Sequence, residues 1–135
     1  MSRSDPHGVL LDQAQDKVAL LDETGTYTYV NATAERILGF DRGELIGTNA
    51  FEYVHPDERE AVRRTFEGAI RTAGFTEVTA DYRHRTRDGS WVWLESRMSN
   101  LTDGDLDGYV ISSRDVTDRV RAEQQRAEAA SHLQE

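Results

Sequence analysis

Histidines and carboxylates are the side chains of this chain that could hold a metal ion or move a proton. A zinc site needs several such ligands at close spacing, or brought together by the fold. The four histidines are spread along the chain, at His7, His55, His84 and His132. His55 lies in His55-Pro56-Asp57, a sequence typical of a helix start. We therefore predict no metal site.

Nucleophilic catalysis lacks the residues that would carry it. The chain contains no cysteine, which excludes disulfides, thiolate metal ligands and cysteine nucleophiles. It has no Gly-x-Ser-x-Gly elbow, no phosphate-binding loop and no His-Glu-x-x-His pair. Acidic pairs carry little information in so acidic a chain. We expect no catalytic residues and no enzymatic activity in this domain.

The sequence Asp115-Val116-Thr117 could make hydrogen bonds where a strand ends and a helix begins. Thr117 is suited to cap that helix. Asp115 is suited to anchor the strand end through hydrogen bonds or a pair with an arginine. Both residues could simply end one element and start the next, but a rigid junction would also transmit a shift of the strand into the helix. We predict such a coupling role for Asp115 and Thr117.

The elements that position these residues follow from hydrophobic periodicity and turn signals. Strands are predicted at 18–21, 26–30, 75–85, 91–99 and 108–114. Helices are predicted at 9–16, 32–38, 42–46, 57–73 and from 117 onwards. Two strands, several short helices and three further strands predict an α+β domain with one antiparallel sheet.

Three segments are expected. Residues 1–17 form a lead-in with a short amphipathic flanking helix, residues 18–116 form the domain core, and residues 117–135 form an exit helix without Gly or Pro. A weak heptad pattern in the exit helix is compatible with a solvated single helix or with a coiled coil. The chain ends within this helix without a cap, so we expect it to be part of a longer protein.

The charge of the chain restricts its partners. The formal net charge is −9, and the basic residues are almost all arginine, with Lys17 the single lysine. Nucleic acid is therefore not expected as a partner of this domain. No apolar segment is long enough to cross a bilayer, so no membrane contact is expected. An acidic, lysine-poor composition is typical of a halophilic protein, or of a GC-rich genome that favours arginine codons.

Two groups of short motifs, far apart in the chain, resemble the two halves of a PAS sensor domain in the right order. The first group is Asp22-Glu23-Thr24-Gly25, Tyr29-Val30-Asn31, Leu38-Gly39-Phe40 and Glu44-Leu45-Ile46-Gly47. The second group is Tyr82-Arg83, Asp88-Gly89-Ser90-Trp91-Val92-Trp93, Gly108-Tyr109-Val110 and 114–119. The resemblance implies a five-stranded antiparallel sheet of order 2-1-5-4-3 with short helices on one face.

The same resemblance implies where a ligand or a partner would bind. An apolar and aromatic set should lie between the sheet and its helices, either as a filled core or as the lining of a ligand pocket. That set is Leu38, Phe40, Phe51, Phe66, Ile70, Tyr82, Leu94 and Ile111. Trp91 and Trp93 should lie on the outer sheet face. The N-terminal helix with Leu10 and Leu11, or the second subunit of a homodimer, should cover that face.

The absence of cysteine excludes the covalent flavin adduct and the thioester chromophore that PAS domains hold through that residue. Haem is not expected either, because 57–73 contains no histidine. A small organic ligand held without a covalent bond stays possible, and no motif excludes a non-covalent flavin. We expect a cytoplasmic, halophilic signalling protein of haloarchaeal type, with a histidine kinase or a transcriptional regulator as the output in the same polypeptide. The alternative is a dimerisation or interaction module with a filled core and no ligand.

Overall fold

The computed structural model describes residues 15–101 and 108–134. The predicted flanking helix at 9–16, with Leu10 and Leu11, lies almost wholly outside these residues. Six strands are described: β1 Lys17–Leu21, β2 Tyr27–Val30, β3 Thr76–Val78, β4 Tyr82–Arg85, β5 Trp91–Asn100 and β6 Tyr109–Asp115. The helices are α1 Ala32–Leu38, α2 Arg42–Leu45, a 3₁₀ helix Ala50–Tyr53, α3 Pro56–Ile70 and α4 Thr117–Gln134.

One antiparallel sheet contains all six strands. Its order is β2-β1-β6-β5-β3, and β4 also pairs with β5. The α+β class and the antiparallel sheet predicted from the sequence are confirmed. If β3 and β4 are taken as one interrupted strand, the observed order corresponds to the expected 2-1-5-4-3.

The prediction of one continuous strand at 75–85 was wrong, because an extra residue interrupts its pairing with β5. Val78 pairs with Arg97 and Tyr82 pairs with Leu94, so three residues on one side face two on β5. Thr79 bridges this bulge: its N–H donates to the Ser96 carbonyl and its hydroxyl accepts from the Ser96 N–H, both at 2.9 Å. The bulge reverses the alternation of faces, which leaves Val78 54% exposed.

The helices α1 to α3 and the hydrophobic core lie on one face of the sheet. Asn31 caps α1 by accepting from the Ala34 N–H at 3.1 Å, and Gly39 ends the helix in the left-handed conformation. α1 packs against β1, and α3 packs against β3, β4 and β5. The long helix begins one residue earlier than expected, with His55 as its N-cap and Pro56 as its first residue.

The core takes in the last residue of the expected lead-in. β1 begins at Lys17 rather than at residue 18, and its inward side chains are Lys17, Ala19 and Leu21. These residues pair with Ser113, Ile111 and Tyr109 of β6. A lysine therefore occupies a core-facing position on β1, opposite Ser113 of β6.

Candidate functional site: the helix junction and the core cavity

The start of α4 is hydrogen-bonded to the middle of the sheet. Both backbone polar groups of Trp93 on β5 take part: its carbonyl accepts from the Val116 N–H at 2.8 Å, and its N–H donates to the Thr117 hydroxyl at 2.9 Å. The Asp115 carboxylate accepts from the Thr117 N–H at 2.9 Å. Val116 and Val120 are buried. The first turn of α4 is thus held to β5 by hydrogen bonds and by packing.

The roles of Asp115 and Thr117 are the reverse of those predicted. Asp115 serves the helix start, because its carboxylate accepts the N–H of the first helical residue. Thr117 anchors the helix to the sheet, because its hydroxyl accepts from β5 instead of from a helix N–H. The antiparallel pairing of β6 with β5, which ends at Leu94 opposite Asp115, brings Thr117 beside Trp93. Sequence neighbours alone do not reveal that contact.

An ion pair links the first turn of α4 to the bulge between β3 and β4. The Arg119 guanidinium donates to the Asp81 carboxylate at 2.9 Å and pairs with Glu123 at 3.2 Å. Both partners raise the pKa of Arg119, Asp81 most. The pair is exposed, so its contribution to stability is small. It nevertheless gives the helix a second attachment to the sheet.

A small cavity of about 20 Å³ lies in the core between the sheet and the helices. Its walls are mostly apolar, with Lys17, Tyr27, Tyr82 and His84 among them. The apolar walls come from Leu21, Ala50, Phe51, Val54, Val62, Met98 and Ile111. A cavity of this volume holds about one water molecule.

His84 is buried without a charge beside this cavity. Its Nδ1 lies 2.8 Å from the Arg85 carbonyl oxygen, which can only accept, so Nδ1 carries the proton. Nε2 is then the acceptor of the Tyr27 hydroxyl at 3.2 Å. The imidazole also stacks on Tyr53, with ring centroids 5.3 Å apart. Burial, with a smaller contribution from Lys17, lowers the pKa of His84 to about 3.

A chain of hydroxyl groups crosses the core face of three strands. Tyr82 on β4 lies 2.5 Å from the Ser96 hydroxyl on β5, and Ser96 lies 2.7 Å from the Ser113 hydroxyl on β6. All three side chains are buried. Burial raises the pKa of Tyr82, which keeps the phenol neutral. Ser113 stands two residues before Asp115, so the hydroxyl chain runs from the cavity toward the junction with α4.

Comparison with known protein families matches residues 11–121 to the PAS fold. The chain belongs to the PAS fold family. The resemblance seen in the sequence motifs is therefore confirmed, and it extends over the sheet, the helices of the core and the first turn of α4.

Curated relatives of this PAS domain include much longer proteins. Basic helix-loop-helix ARNT-like protein 2 of Homo sapiens is 32% identical over 78 residues, which are 58% of this chain and 12% of that protein. White collar 1 protein of Neurospora crassa is 28% identical over 88 residues, 65% of this chain and 7% of that protein. These matches support a sensory or signalling PAS module.

Solved structures share the fold. The PAS domain of an HTR-like protein from Haloarcula marismortui has a TM-score of 0.70 and 24% identity, covering 84% of this chain and 96% of that one. Drosophila melanogaster Cycle PAS-B with bound ethylene glycol has a TM-score of 0.66 and 20% identity, covering 73% and 98%. An RNA-binding Light-Oxygen-Voltage receptor has a TM-score of 0.71 and 26% identity, covering 96% and 38%.

The predicted pocket residues of this PAS domain separate into two groups. Phe51, Tyr82 and Ile111 line the cavity. The remaining five pack in or against the core around it, without being among its described lining residues: Leu38, Phe40, Phe66, Ile70 and Leu94. Phe66 packs edge-to-face on Phe51, with ring centroids 5.4 Å apart, and so supports the lining from behind.

Lys17 and His84 are the polar cavity residues that sequence reasoning missed. The signal that could have found them is period-two alternation. Lys17 is two residues from Ala19 and four from Leu21, and His84 is two residues from Tyr82, so each polar residue shares a strand face with core residues. Each side chain therefore faces the core once the strand is assigned. Hydrophobicity alone places both residues at the surface.

The outer sheet face carries the two predicted contact tryptophans. Trp91 and Trp93 are both half-buried. The Trp91 ring lies 4.8 Å from the His55 ring, and the Arg83 guanidinium lies 5.1 Å from the Trp93 ring centroid. Glu58 holds this arginine with a 2.6 Å ion pair, and that pairing lowers the pKa of Glu58. The two tryptophans are therefore partly covered by side chains of their own domain.

Potential metal-binding atoms of His55, Asp57 and Glu58 lie within 4.8 Å of one another. All three side chains are already bonded within the protein, and the Asp57 carboxylate pairs with Arg83 at 3.3 Å. His55 Nδ1 accepts from the Asp57 N–H at 3.1 Å, which caps α3, and Glu58 pairs with Arg83. The cluster is accounted for as a helix start with an adjoining ion pair.

The cofactors that PAS domains can hold do not fit the cavity described above. Ligand pockets for organic molecules have volumes of roughly 300–1,000 Å³, against about 20 Å³ here. A flavin or a haem would require the core to open.

Within the part of the chain that the structure describes, no helix is long and apolar enough to cross a membrane.

Proposed function

We propose that this PAS domain is a non-catalytic relay that passes a change in its core to an output domain through α4. The observation that carries the proposal is the attachment of the first turn of α4 to Trp93 of β5 by two hydrogen bonds. β5 lies between β6 on one side and β3 and β4 on the other. A shift of β5 therefore acts directly on the start of the helix.

The core face of β5 is the place where an input would act. Leu94, Ser96 and Met98 are buried on this face, and Met98 lines the cavity. Because protein interiors are close-packed, a change in side-chain shape at Met98 moves its neighbours instead of being absorbed. Trp93 is next to Leu94 in the chain. A displacement on the core side of β5 is thus transmitted along this one strand to the hydrogen bond between Trp93 and Thr117.

The output belongs to the same polypeptide in this proposal. α4 extends beyond its buried first turn as a mostly exposed helix. The ARNT-like and White collar 1 relatives are much longer than their PAS segments. A transcriptional regulator is one candidate output, and a histidine kinase of a halophilic organism is the other. A cytoplasmic homodimer through Trp91 and Trp93 completes the proposal.

The small cavity favours an alternative function for the domain, namely an interaction module with a filled core. A domain whose core holds only about one water has little room for an organic ligand. Its input would then be a partner protein or the second subunit. Both candidates use the same junction, so the decisive question is whether a change in the core reaches α4.

The relay can be tested by NMR with a small change in core packing. Met98→Leu keeps the volume nearly constant and is expected to cost less than about 1.5 kcal/mol. Its amide chemical shifts should change in β5 and also in the exposed part of α4, from Arg121 onwards. Adding Thr117→Val removes the acceptor of the Trp93 N–H and should abolish the α4 shifts while the β5 shifts persist.

The matched control is Glu128→Gln on the exposed part of α4, which should leave the transmitted shifts unchanged. If Met98→Leu shifts no amide of α4 beyond its first turn, the relay proposal fails. If the α4 shifts persist with Thr117→Val, the signal takes a route other than this junction.

A further inference from the structure

Lys17 is a buried lysine, and no carboxylate among the described residues forms an ion pair with it. It is 2% exposed, and it lines the core cavity. Among the described residues, none accepts a hydrogen bond from its Nζ, which lies 5.1 Å from the Tyr27 ring centroid. A buried ammonium without a hydrogen-bonding partner is costly, so such groups either lose the proton or acquire an anion.

The walls of the cavity supply no anion. Their ionisable groups besides Lys17 are Tyr27, Tyr82 and His84, and none of the described lining residues is a carboxylate. Burial raises the pKa of both tyrosines, and it lowers that of His84. All three groups are therefore neutral near pH 7. No described residue of the cavity wall therefore supplies the counter-charge that a protonated Lys17 needs.

We propose that the cavity binds one small inorganic anion, chloride, between the Lys17 ammonium and the Tyr82 hydroxyl. The volume of about 20 Å³ admits a monatomic ion close to the size of a water molecule and excludes a carboxylate. The inference deepens the proposed function by naming an input for it, and its role in signalling rests on that function. Binding itself can be tested separately.

The hydrogen-bond network leaves Tyr82 free to act as the second donor. The Tyr27 proton is used by His84 Nε2. The chain of Tyr82, Ser96 and Ser113 can run in either direction. When Ser113 donates to Ser96 and Ser96 donates to Tyr82, the phenol proton is available for the anion.

Chloride would therefore orient a hydroxyl chain that links β4, β5 and β6. Ser113 at its far end lies in the strand that leads to Asp115 and α4. In one direction the Ser113 hydroxyl on β6 donates to Ser96, and in the other direction it accepts from Ser96. An anion in the cavity thus favours one arrangement of the strand that enters the junction, which is a physical route from site to helix.

Binding should be accompanied by proton uptake. In the free protein, burial lowers the pKa of Lys17, and an adjacent anion raises it again by favouring the charged form. The groups that face Lys17 from β2 and β4, namely Tyr27, Tyr82 and His84, stay neutral over the same range. The chloride affinity should therefore fall as the pH rises above the pKa of the free Lys17.

The first test compares thermal unfolding in sodium chloride and in sodium gluconate at equal ionic strength. Wild type should gain stability along a saturable chloride curve, with Tm rising by roughly 5 °C at about ten times the Kd. Lys17→Met keeps the length and volume of the side chain and should lose the chloride-specific rise. Equal chloride curves for both proteins, or no specific rise in wild type, overturn the proposal.

A second measurement covers the case in which Lys17→Met does not fold. Wild type is titrated with chloride in gluconate buffer and followed by amide NMR. Saturable shifts at Lys17, Tyr82, Ser96 and Ser113 support the site. Shifts that are non-saturable, or confined to surface residues, overturn it. The Met98→Leu experiment uses no chloride, so the anion site and the relay can fail independently.

Discussion

At the scale of single residues, the core of this PAS domain holds a buried histidine, His84, in its uncharged form. His84 donates to the Arg85 carbonyl and accepts from Tyr27, which satisfies both ring nitrogens of the neutral imidazole. Protonation would turn Nε2 into a donor that faces the Tyr27 proton. Burial adds to this cost, since a charged imidazole would lose its hydration.

His84 should make the stability of the domain depend on pH. Its folded pKa is about 3, below the unfolded value of about 6.5. The unfolded chain therefore binds the proton first, and stability is fully present above pH 6.5 and lost as the pH falls toward 3. The free energy of unfolding should fall by about 1 kcal/mol between pH 6 and pH 5 because of this residue.

Urea unfolding at both pH values, at constant salt, measures this effect. His84→Gln should lose the pH-dependent part while retaining hydrogen-bonding groups. His132→Gln, on the exposed end of α4, is the matched control and should behave like wild type. An unchanged slope in His84→Gln would show that other groups cause the pH dependence.

At the scale of elements, the β1–β2 hairpin is closed by a turn that also forms part of the core wall. The Asp22 carboxylate accepts from the N–H groups of Thr24 and Thr26 at 2.9 and 3.0 Å. Gly25 follows with φ +87, and a Cβ at this position would fall on the Phe51 ring. The turn therefore needs glycine both for its backbone conformation and for the close approach of Phe51.

Gly25→Ala and Gly89→Ala separate these two requirements. Gly89 also has a positive φ, +88, but an added Cβ would have no atom within 4 Å. We expect Gly89→Ala to cost about 1–2 kcal/mol, the price of the left-handed backbone conformation. Gly25→Ala should cost roughly 2 kcal/mol more, because Phe51 must also move. Chemical denaturation of both variants measures the difference, and equal costs would contradict the packing role of Gly25.

The helix α4 illustrates how tertiary packing changes the interpretation of a pattern. Val116 and Val120 begin the predicted heptad pattern, yet both are buried within the domain. The later positions, Glu123, Ala127 and Ala130, are exposed. Any coiled coil would therefore have to rely on a weakly apolar stretch after the first turn.

At the scale of the whole molecule, negative charge is the dominant property. The net charge of −9 is spread over a domain of 15.3 kDa, so like charges repel each other in the compact state. Salt screens this repulsion, with a Debye length that falls from about 8 Å at 0.15 M to about 3 Å at 1 M. Stability should therefore rise with ionic strength.

We expect the free energy of unfolding to rise by about 1 kcal/mol between these two salt concentrations. Sodium gluconate is used so that the increase does not include chloride binding at Lys17. A variant with Glu52, Glu67 and Glu128 changed to Gln reduces the magnitude of the net charge, from −9 to −6. Its free energy of unfolding should show a smaller increase with salt. Equal increases in the two proteins would assign the effect to the solvent instead of to repulsion.

The sequence by itself determined the family, the class of fold and the order of the elements. The turn conformation of Gly25 and the helix cap of Asn31 depend on neighbours in the chain, so these two roles follow from local chemistry. Alternation along β5 likewise predicted that Leu94 and Met98 face inward, because a strand has a period of two.

Only the tertiary structure decided the features that depend on contacts between distant residues. The extra residue at 79–81 became a bulge when its pairing with β5 was known. Thr117 became the anchor of α4 because the fold brings Trp93, 24 residues away in the chain, beside it. Lys17 became a candidate anion ligand because the fold buries it beside a cavity whose described lining contains no carboxylate. Burial and pairing belong to the packed core, and a linear pattern of residue types does not contain them.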